Sequence, residues 1–284
     1  MRATKPLIGV VFDLDGTLAP DTTTQFLRSA RVDDVAFWGR VAERMLSGWD
    51  QTLAYMGEWI AEVQKSPEPF SRHKMAEVSA RMTLYPGVLQ LFDTLRVDAR
   101  QIGALVEFHL ISSGLRPIVE GLPIAADFAS IWASDFAYDA SGLPYLPRAA
   151  MSFTDKTRPL IAISKGLDQG EQQRDPFAVN RRIQQFRIPF TRMIYVGDGL
   201  TDVPVFALLN GKGGHPVAVF DPADSTASAQ ARAFIDDGRV PQVAPADYSP
   251  DGEGLAALRH ALRLAAESDN PAKRTQRDDL APIP

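Results

Sequence analysis

The apolar run Leu7-Ile8-Gly9-Val10-Val11-Phe12 is followed at once by Asp13-Leu14-Asp15-Gly16-Thr17. A short, β-branched-rich run that stops at a turn signal reads as a strand buried on both faces, as in a parallel sheet. Five specified positions such as Asp-Leu-Asp-Gly-Thr match by chance in a chain of 284 residues only about once in ten thousand. At a strand end, Asp13 and Asp15 occupy alternate positions and project to the same side. Two carboxylates that close repel unless a cation sits with them or one is protonated. Mg²⁺ suits such an all-oxygen site, because it keeps waters and phosphate oxygens as ligands. The chain has no Cys and only 4 His, which excludes disulfides and thiolate metal sites.

Further along, Val106–Ile111 predicts a strand that runs into Ser112-Ser113-Gly114, and Arg192–Val196 one that runs into Gly197-Asp198-Gly199. Ala129–Ala133 and Pro216–Phe220 read as strands, and Phe136–Leu146 as a hairpin around Asp-Ala-Ser-Gly. Helices are expected from Val88, through Ile118-Val119, over Arg158–Ile163 and over Leu255–Ala266. Strands alternating with helices imply right-handed crossovers and an α/β, Rossmann-like three-layer fold with a parallel sheet. Ligands then sit beyond the carboxyl ends of the strands. Asp13/Asp15, Ser112/Ser113 and Asp198/Asp202 each follow a predicted strand, so they should converge at one edge.

Between Thr22 and Thr83 the texture changes. Residues 33–46 and 51–64 carry apolar side chains at three- and four-residue intervals, and 68–81 continues the pattern after Ser66-Pro67. Asp33 and Asp50 are placed as N-caps or first-turn acids. This predicts an inserted helical subdomain over 20–84. It interrupts an α/β core of 1–19 and 85–267, and a charged tail follows over 268–284. Arg28, Arg40, Glu43, Arg44 and Glu58 read as solvated helix-face charges. Residues 168–181 read as a polar surface loop, and His109 as a packed core residue. His215, in a loop near the last strands, is left open.

These motifs resemble the haloacid dehalogenase superfamily of phosphohydrolases. Asp13 and Asp15 match its first motif, Ser112 its second and Gly197-Asp198-Gly199-Leu200-Thr201-Asp202 its fourth. Lys156 in Thr-Asp-Lys-Thr is the best match for its third, with Lys165 as the rival. The matches fall in the family's order and span about residues 7–221. The insertion occupies the position of the helical cap found in the phosphoserine-phosphatase-like and beta-phosphoglucomutase-like branches.

The resemblance implies that Asp13 attacks phosphorus to form an aspartyl-phosphate, with Asp15 as general acid and then base. It implies that Ser112, with the amides around Ser113 and Gly114, cradles the phosphoryl oxygens. Lys156 would balance the charge of nucleophile and phosphate. Mg²⁺ would bind the carboxylates of Asp13 and Asp198 and the main-chain carbonyl of Asp15, with Asp202 orienting the ligands. Family members with other chemistry often lack an acid at the position of Asp15, so its presence favours phosphoryl transfer.

The expected activity is a Mg²⁺-dependent phosphatase acting on a small phosphomonoester. A phosphomutase or phosphotransferase would need the same residues, and a non-catalytic phospho-ligand binder is the reading outside enzymes. Lys and Arg total 30 against 35 Asp and Glu, a net charge of −5, which argues against a nucleic-acid partner. No apolar run reaches the roughly 18 residues of a membrane span, and the first residues lack a signal-peptide pattern. A cytoplasmic location is the expectation, and nothing in the sequence addresses oligomeric state.

Overall fold

The computed structural model describes residues 5–268, except 169, 171–173 and 225. Its centre is a seven-stranded sheet built from β1 (Leu7–Phe12), β2 (Leu105–Leu115), β3 (Phe128–Tyr138), β4 (Pro144–Ala149), β5 (Met193–Gly197), β6 (His215–Phe220) and β7 (Val243–Pro245). The spatial order is β4-β3-β2-β1-β5-β6-β7. All pairings are parallel except β3 with β4, which is antiparallel at the edge. β1 lies in the middle and, Leu7 aside, is buried throughout, as a strand covered on both faces must be. Phe12 pairs with Leu110 on one side and Val196 on the other, so β1 and β5 end nearly level, while β2 runs on past them to Leu115.

Ten helices enter the description. They are α1 (Thr22–Ser29), α2 (Asp34–Leu46), α3 (Gln51–Lys65), α4 (Arg72–Ser79), α5 (Val88–Gln101), α6 (Arg116–Gly121), α7 (Thr157–Lys165), α8 (Val203–Gly211), α9 (Ala227–Asp236) and α10 (Glu253–Glu267). The first four form the insertion. Asp33 and Asp50 cap α2 and α3, accepting from the amides of Ala36 (3.0 Å) and Leu53 (3.1 Å). The Tyr85 amide donates to the Leu18 carbonyl at 2.9 Å, so the chain leaves and re-enters the sheet layer at adjacent points. Phe26, Trp59, Phe70 and Met75 of the insertion belong to the same apolar cluster as Phe12, Leu14 and Leu110.

Several expectations need correction. The segment Phe128–Tyr138 is one strand of 11 residues, and the turn at Asp139–Gly142 joins it to β4. The hairpin therefore begins earlier and ends later than the sequence pattern placed it. The stretch 68–81 splits into a 3₁₀ turn at Glu68–Phe70 and α4, because Ser71 caps a new helix start. Within 168–181, Pro176–Asn180 forms a further 3₁₀ turn. The expected tail lies outside the described residues apart from Ser268. Among the described residues, no helix is long and apolar enough to cross a membrane.

Candidate active site

The Asp13 amide donates to the Val196 carbonyl at 2.8 Å, continuing the β1–β5 ladder one residue past the strand and fixing where the Asp13 side chain starts. Its carboxylate accepts from the Leu14 amide (2.8 Å) and from the Lys156 ammonium (2.7 Å). Lys156 stands at the start of α7, 1% exposed, and also donates to Asp202 (2.7 Å) and Thr201 Oγ1 (3.1 Å). Burial alone would lower the ammonium's proton affinity; the carboxylates of Asp13 and Asp202 outweigh that and raise it. Lys165, at the far end of α7, donates instead to the carbonyls of Val179 (2.7 Å) and Arg181 (2.6 Å). Of the two lysines left open by the sequence, Lys156 is the one that meets Asp13.

Asp15 is held from two sides. Its carboxylate accepts from the Thr22 amide, the first of α1, at 2.7 Å. Across the cleft it meets the end of β2, where between the pairs Ile111–Trp132 and Leu115–Ser134 three residues of β2 (112–114) stand opposite the single Ala133 of β3 in a bulge. A Cβ on Gly114 would lie 3.1 Å from both Asp15 Oδ2 and Ser112 Oγ, so glycine is what lets these groups approach. The Gly114 amide donates to Ser112 Oγ at 2.9 Å. Burial, reinforced by the charge of Asp21, pushes the Asp15 carboxyl up to about 7. Burial also raises Asp13, to about 6, although Lys156 pulls it back.

Asp198 follows β5. Gly16 has φ +73, and a Cβ there would stand 2.0 Å from Asp198 Oδ2; the Asp-Leu-Asp-Gly turn is shaped around this carboxylate. Burial, then the charges of Asp202 and Asp13, push the Asp198 carboxyl well up. One ligand atom each from Asp13, Asp198 and Asp202 can be chosen within 4.8 Å of one another. Asp202 is already saturated. It accepts from Lys156, the Tyr195 hydroxyl (2.7 Å) and the amides of Asp198 (3.1 Å) and Gly199 (3.2 Å). The residues fit a hard divalent cation on that ground: Asp13 and Asp198 crowd two buried carboxylates together, while Asp202 is spent on orienting their neighbours.

These groups open into a cavity of about 420 Å³. The insertion supplies part of its wall, including Asp21, Trp38, Asp50 and Tyr55. The Tyr55 hydroxyl donates to the Ser113 carbonyl at 2.6 Å, which also accepts from Ser134 Oγ at 2.8 Å. Thr52 Oγ1 reaches the Met151 carbonyl at 3.3 Å.

Sequence reasoning did not find Tyr55 or Tyr195, and it gave no contact to Thr201, which stands in the fourth motif and accepts from Lys156. Nor did it find Tyr248, whose hydroxyl donates to the Thr17 carbonyl at 2.8 Å and braces the loop after β1. The insertion's charges also differ from expectation. Glu58 is buried between α2 and α3, where it accepts from Arg40 and Arg44, and Arg40 reaches Glu62 as well. Arg28 and Glu43 remain exposed. His109 is a core residue against Ser130 Oγ (2.8 Å) and Glu107 (3.0 Å). His215 begins β6, its Nε2 lying 3.1 Å from the Thr191 carbonyl, and it does not line the cavity.

Residues 10–207 match the model of the haloacid dehalogenase-like hydrolase family. An uncharacterized protein of Borreliella burgdorferi is 25% identical over 238 residues, covering 74% of this chain and 81% of that one. Among solved structures, a HAD family hydrolase from Salmonella enterica serovar Typhi superposes with a TM-score of 0.56 at 16% identity, over 94% of this chain and 73% of that one. A probable phosphoserine phosphatase from Vibrio cholerae gives 0.54 at 14%, over 94% and 67%. A phosphoserine phosphatase holding a phospho-aspartyl intermediate analogue gives 0.51 at 14%, over 84% and 93%. At these identities the structural likeness shows a shared fold. The family match, spanning more than two thirds of the chain and enclosing Asp13, Ser112, Lys156 and Asp198, shows that the chain belongs to the haloacid dehalogenase-like hydrolases.

Proposed function

We propose that this hydrolase is a Mg²⁺-dependent phosphatase that cleaves a small phosphomonoester through an aspartyl-phosphate on Asp13. The observation that carries the reading is the division of labour between two carboxyls on one loop. Asp13 is ion-paired with buried Lys156, which favours its charged, nucleophilic form. Asp15 has no such cation: it accepts from the Thr22 amide at 2.7 Å, and burial raises its carboxyl, which suits it to carry the proton.

In the first step an Asp13 oxygen bonds to phosphorus as the bond to the leaving oxygen breaks, and Asp15 gives that oxygen its proton. In the second, water attacks phosphorus, Asp15 takes the water's proton, and the bond to Asp13 breaks to release inorganic phosphate. The Ser112 oxygen accepts from the Gly114 amide, which leaves the hydroxyl proton for a phosphoryl oxygen. Lys156 offsets charge on Asp13 and on the phosphoryl group. The carboxylates of Asp13 and Asp198, with the Asp15 carbonyl, are the residues that would hold Mg²⁺, whose contribution is neutralisation of phosphoryl charge. The insertion, residues 20–84, serves as a cap that excludes water and contacts the leaving group, a role supported by Trp38 and Tyr55 in the cavity wall.

The test is phosphate release across a panel of phosphomonoesters with Mg²⁺ and with excess chelator. Metal-dependent release supports the reading. Full activity in chelator contradicts the metal. Transfer to a second hydroxyl without phosphate release would make the protein a phosphotransferase.

A further inference from the structure

The walls of the cavity beyond the reacting groups have a distinct chemistry. Trp38 and Tyr55 stand side by side, with ring centroids 6.3 Å apart. The polar tip of each is already committed. Trp38 Nε1–H donates to Thr24 Oγ1 at 2.8 Å, and the Tyr55 hydroxyl donates to the Ser113 carbonyl at 2.6 Å. Neither donor is left for an anion, so what Trp38 and the largely buried Tyr55 (5% exposed) have left for the cavity they line is ring carbon. Phe153, 52% exposed, adds a third ring at the mouth.

Carboxylates accompany the rings. Asp21 connects to Trp38 through Thr24, whose hydroxyl donates to Asp21 Oδ2 at 2.7 Å. Asp50 and Asp221 also line the cavity. Asp21 and Asp50 each cap a helix, which accounts for an oxygen at each position. Capping does not offset the sign of the field they leave in the cleft. Among the described residues that line it, Lys156 is the only Lys or Arg, and it is bound to Asp13 and Asp202. A second anionic group on the substrate would meet three carboxylates and no free cation, whereas a positive group would meet carboxylates and π faces together.

We infer that the leaving group carries a positive charge and no carboxylate: the substrate class is an alkylammonium phosphate, with Trp38, Tyr55 and Asp21 forming the ammonium subsite. The inference rests on the proposed phosphatase activity and goes beyond it by naming the alcohol.

The test compares kcat/KM of the full chain, with Mg²⁺, for phosphocholine, its uncharged isostere 3,3-dimethylbutyl phosphate, and O-phosphoserine, with p-nitrophenyl phosphate as a probe of the chemistry alone. Phosphocholine should exceed the neutral isostere by at least about tenfold, and phosphoserine should fall below phosphocholine. The preference for the cation should shrink in raised salt and in Asp21→Asn, which keeps a capping oxygen but removes the charge. Trp38→Leu should shrink it as well, should Asp21→Asn fail to fold. Equal or faster turnover of the neutral isostere, a preference for phosphoserine, or turnover of p-nitrophenyl phosphate alone would overturn the inference and leave the phosphatase reading standing. No turnover of any of the four would overturn both.

Discussion

The Tyr55 hydroxyl donates to the Ser113 carbonyl across 2.6 Å, tying α3 of the insertion to the end of β2 beside Ser112 and Gly114. One hydrogen bond thus joins a helix that lines the cavity, proposed to face the leaving group, to the segment proposed to hold the phosphoryl group. Tyr55→Phe keeps the ring and removes that link. Stability should fall by only about 1 kcal/mol, read by urea unfolding. Activity should also fall, in kcat more than in KM, because the ring survives while the phosphate-side segment loses its tether. An unchanged kcat would mean that the bond positions nothing.

Lys156 is enclosed with two carboxylates, Asp13 and Asp202, which are 5% and 0% exposed. Lys156→Met removes the cation and strands both. The expected loss is about 3 to 5 kcal/mol of stability, together with a fall in phosphatase turnover of about a thousandfold. Adding Asp202→Asn to the variant should recover part of the stability and none of the activity. Calorimetry and phosphate release measured on the same samples check the two halves of this expectation separately.

Glu107 offers a pH test away from the cavity. Bidentate contact with Arg187 (2.6 Å and 2.6 Å), supported by His109, holds its carboxyl down at about 2. A carboxyl lowered on folding adds stability that is present above the ordinary range near 4.5 and is lost as pH falls toward 2. Arg187 is 45% exposed, so solvent screening reduces the contribution to about 1 to 2 kcal/mol. Glu107→Gln should therefore be less stable than the parent at pH 7, with the gap narrowing by about half or more near pH 3. A gap independent of pH would show that packing, not charge, accounts for it.

Much of this architecture is visible in the chain itself, and the parts that are not share a physical reason. β1 is legible because a strand buried on both faces must be apolar throughout, and because Asp13 and Gly16 mark its end. α2 and α3 are legible because Asp33 and Asp50 announce their starts to amides three residues on. β7 is only three residues long, Val243–Pro245, and offers no pattern against its neighbours. The splitting of 68–81 turns on one local competition, Ser71 capping α4, that periodicity does not register. At the site, Asp13, Ser112, Lys156 and Asp198 stand in motifs, whereas Tyr55 and Tyr248 act across 58 and 231 residues of chain. Glu58 looks like any helix-face charge until α2 brings Arg40 and Arg44 over it. Such roles belong to tertiary packing, and no local spacing encodes them.

If Asp13 carries the phosphoryl group during turnover, chemical trapping will find it there. The enzyme would be quenched during turnover of p-nitrophenyl phosphate with Mg²⁺ and treated with borohydride, which reduces an acyl phosphate to the alcohol. Peptide mass spectrometry should then find Asp13 reduced to homoserine, with no reduction in Asp13→Asn or when substrate is omitted. Phosphate release at full rate with Asp13 unreduced, or with the reduction at another carboxylate, would contradict the account.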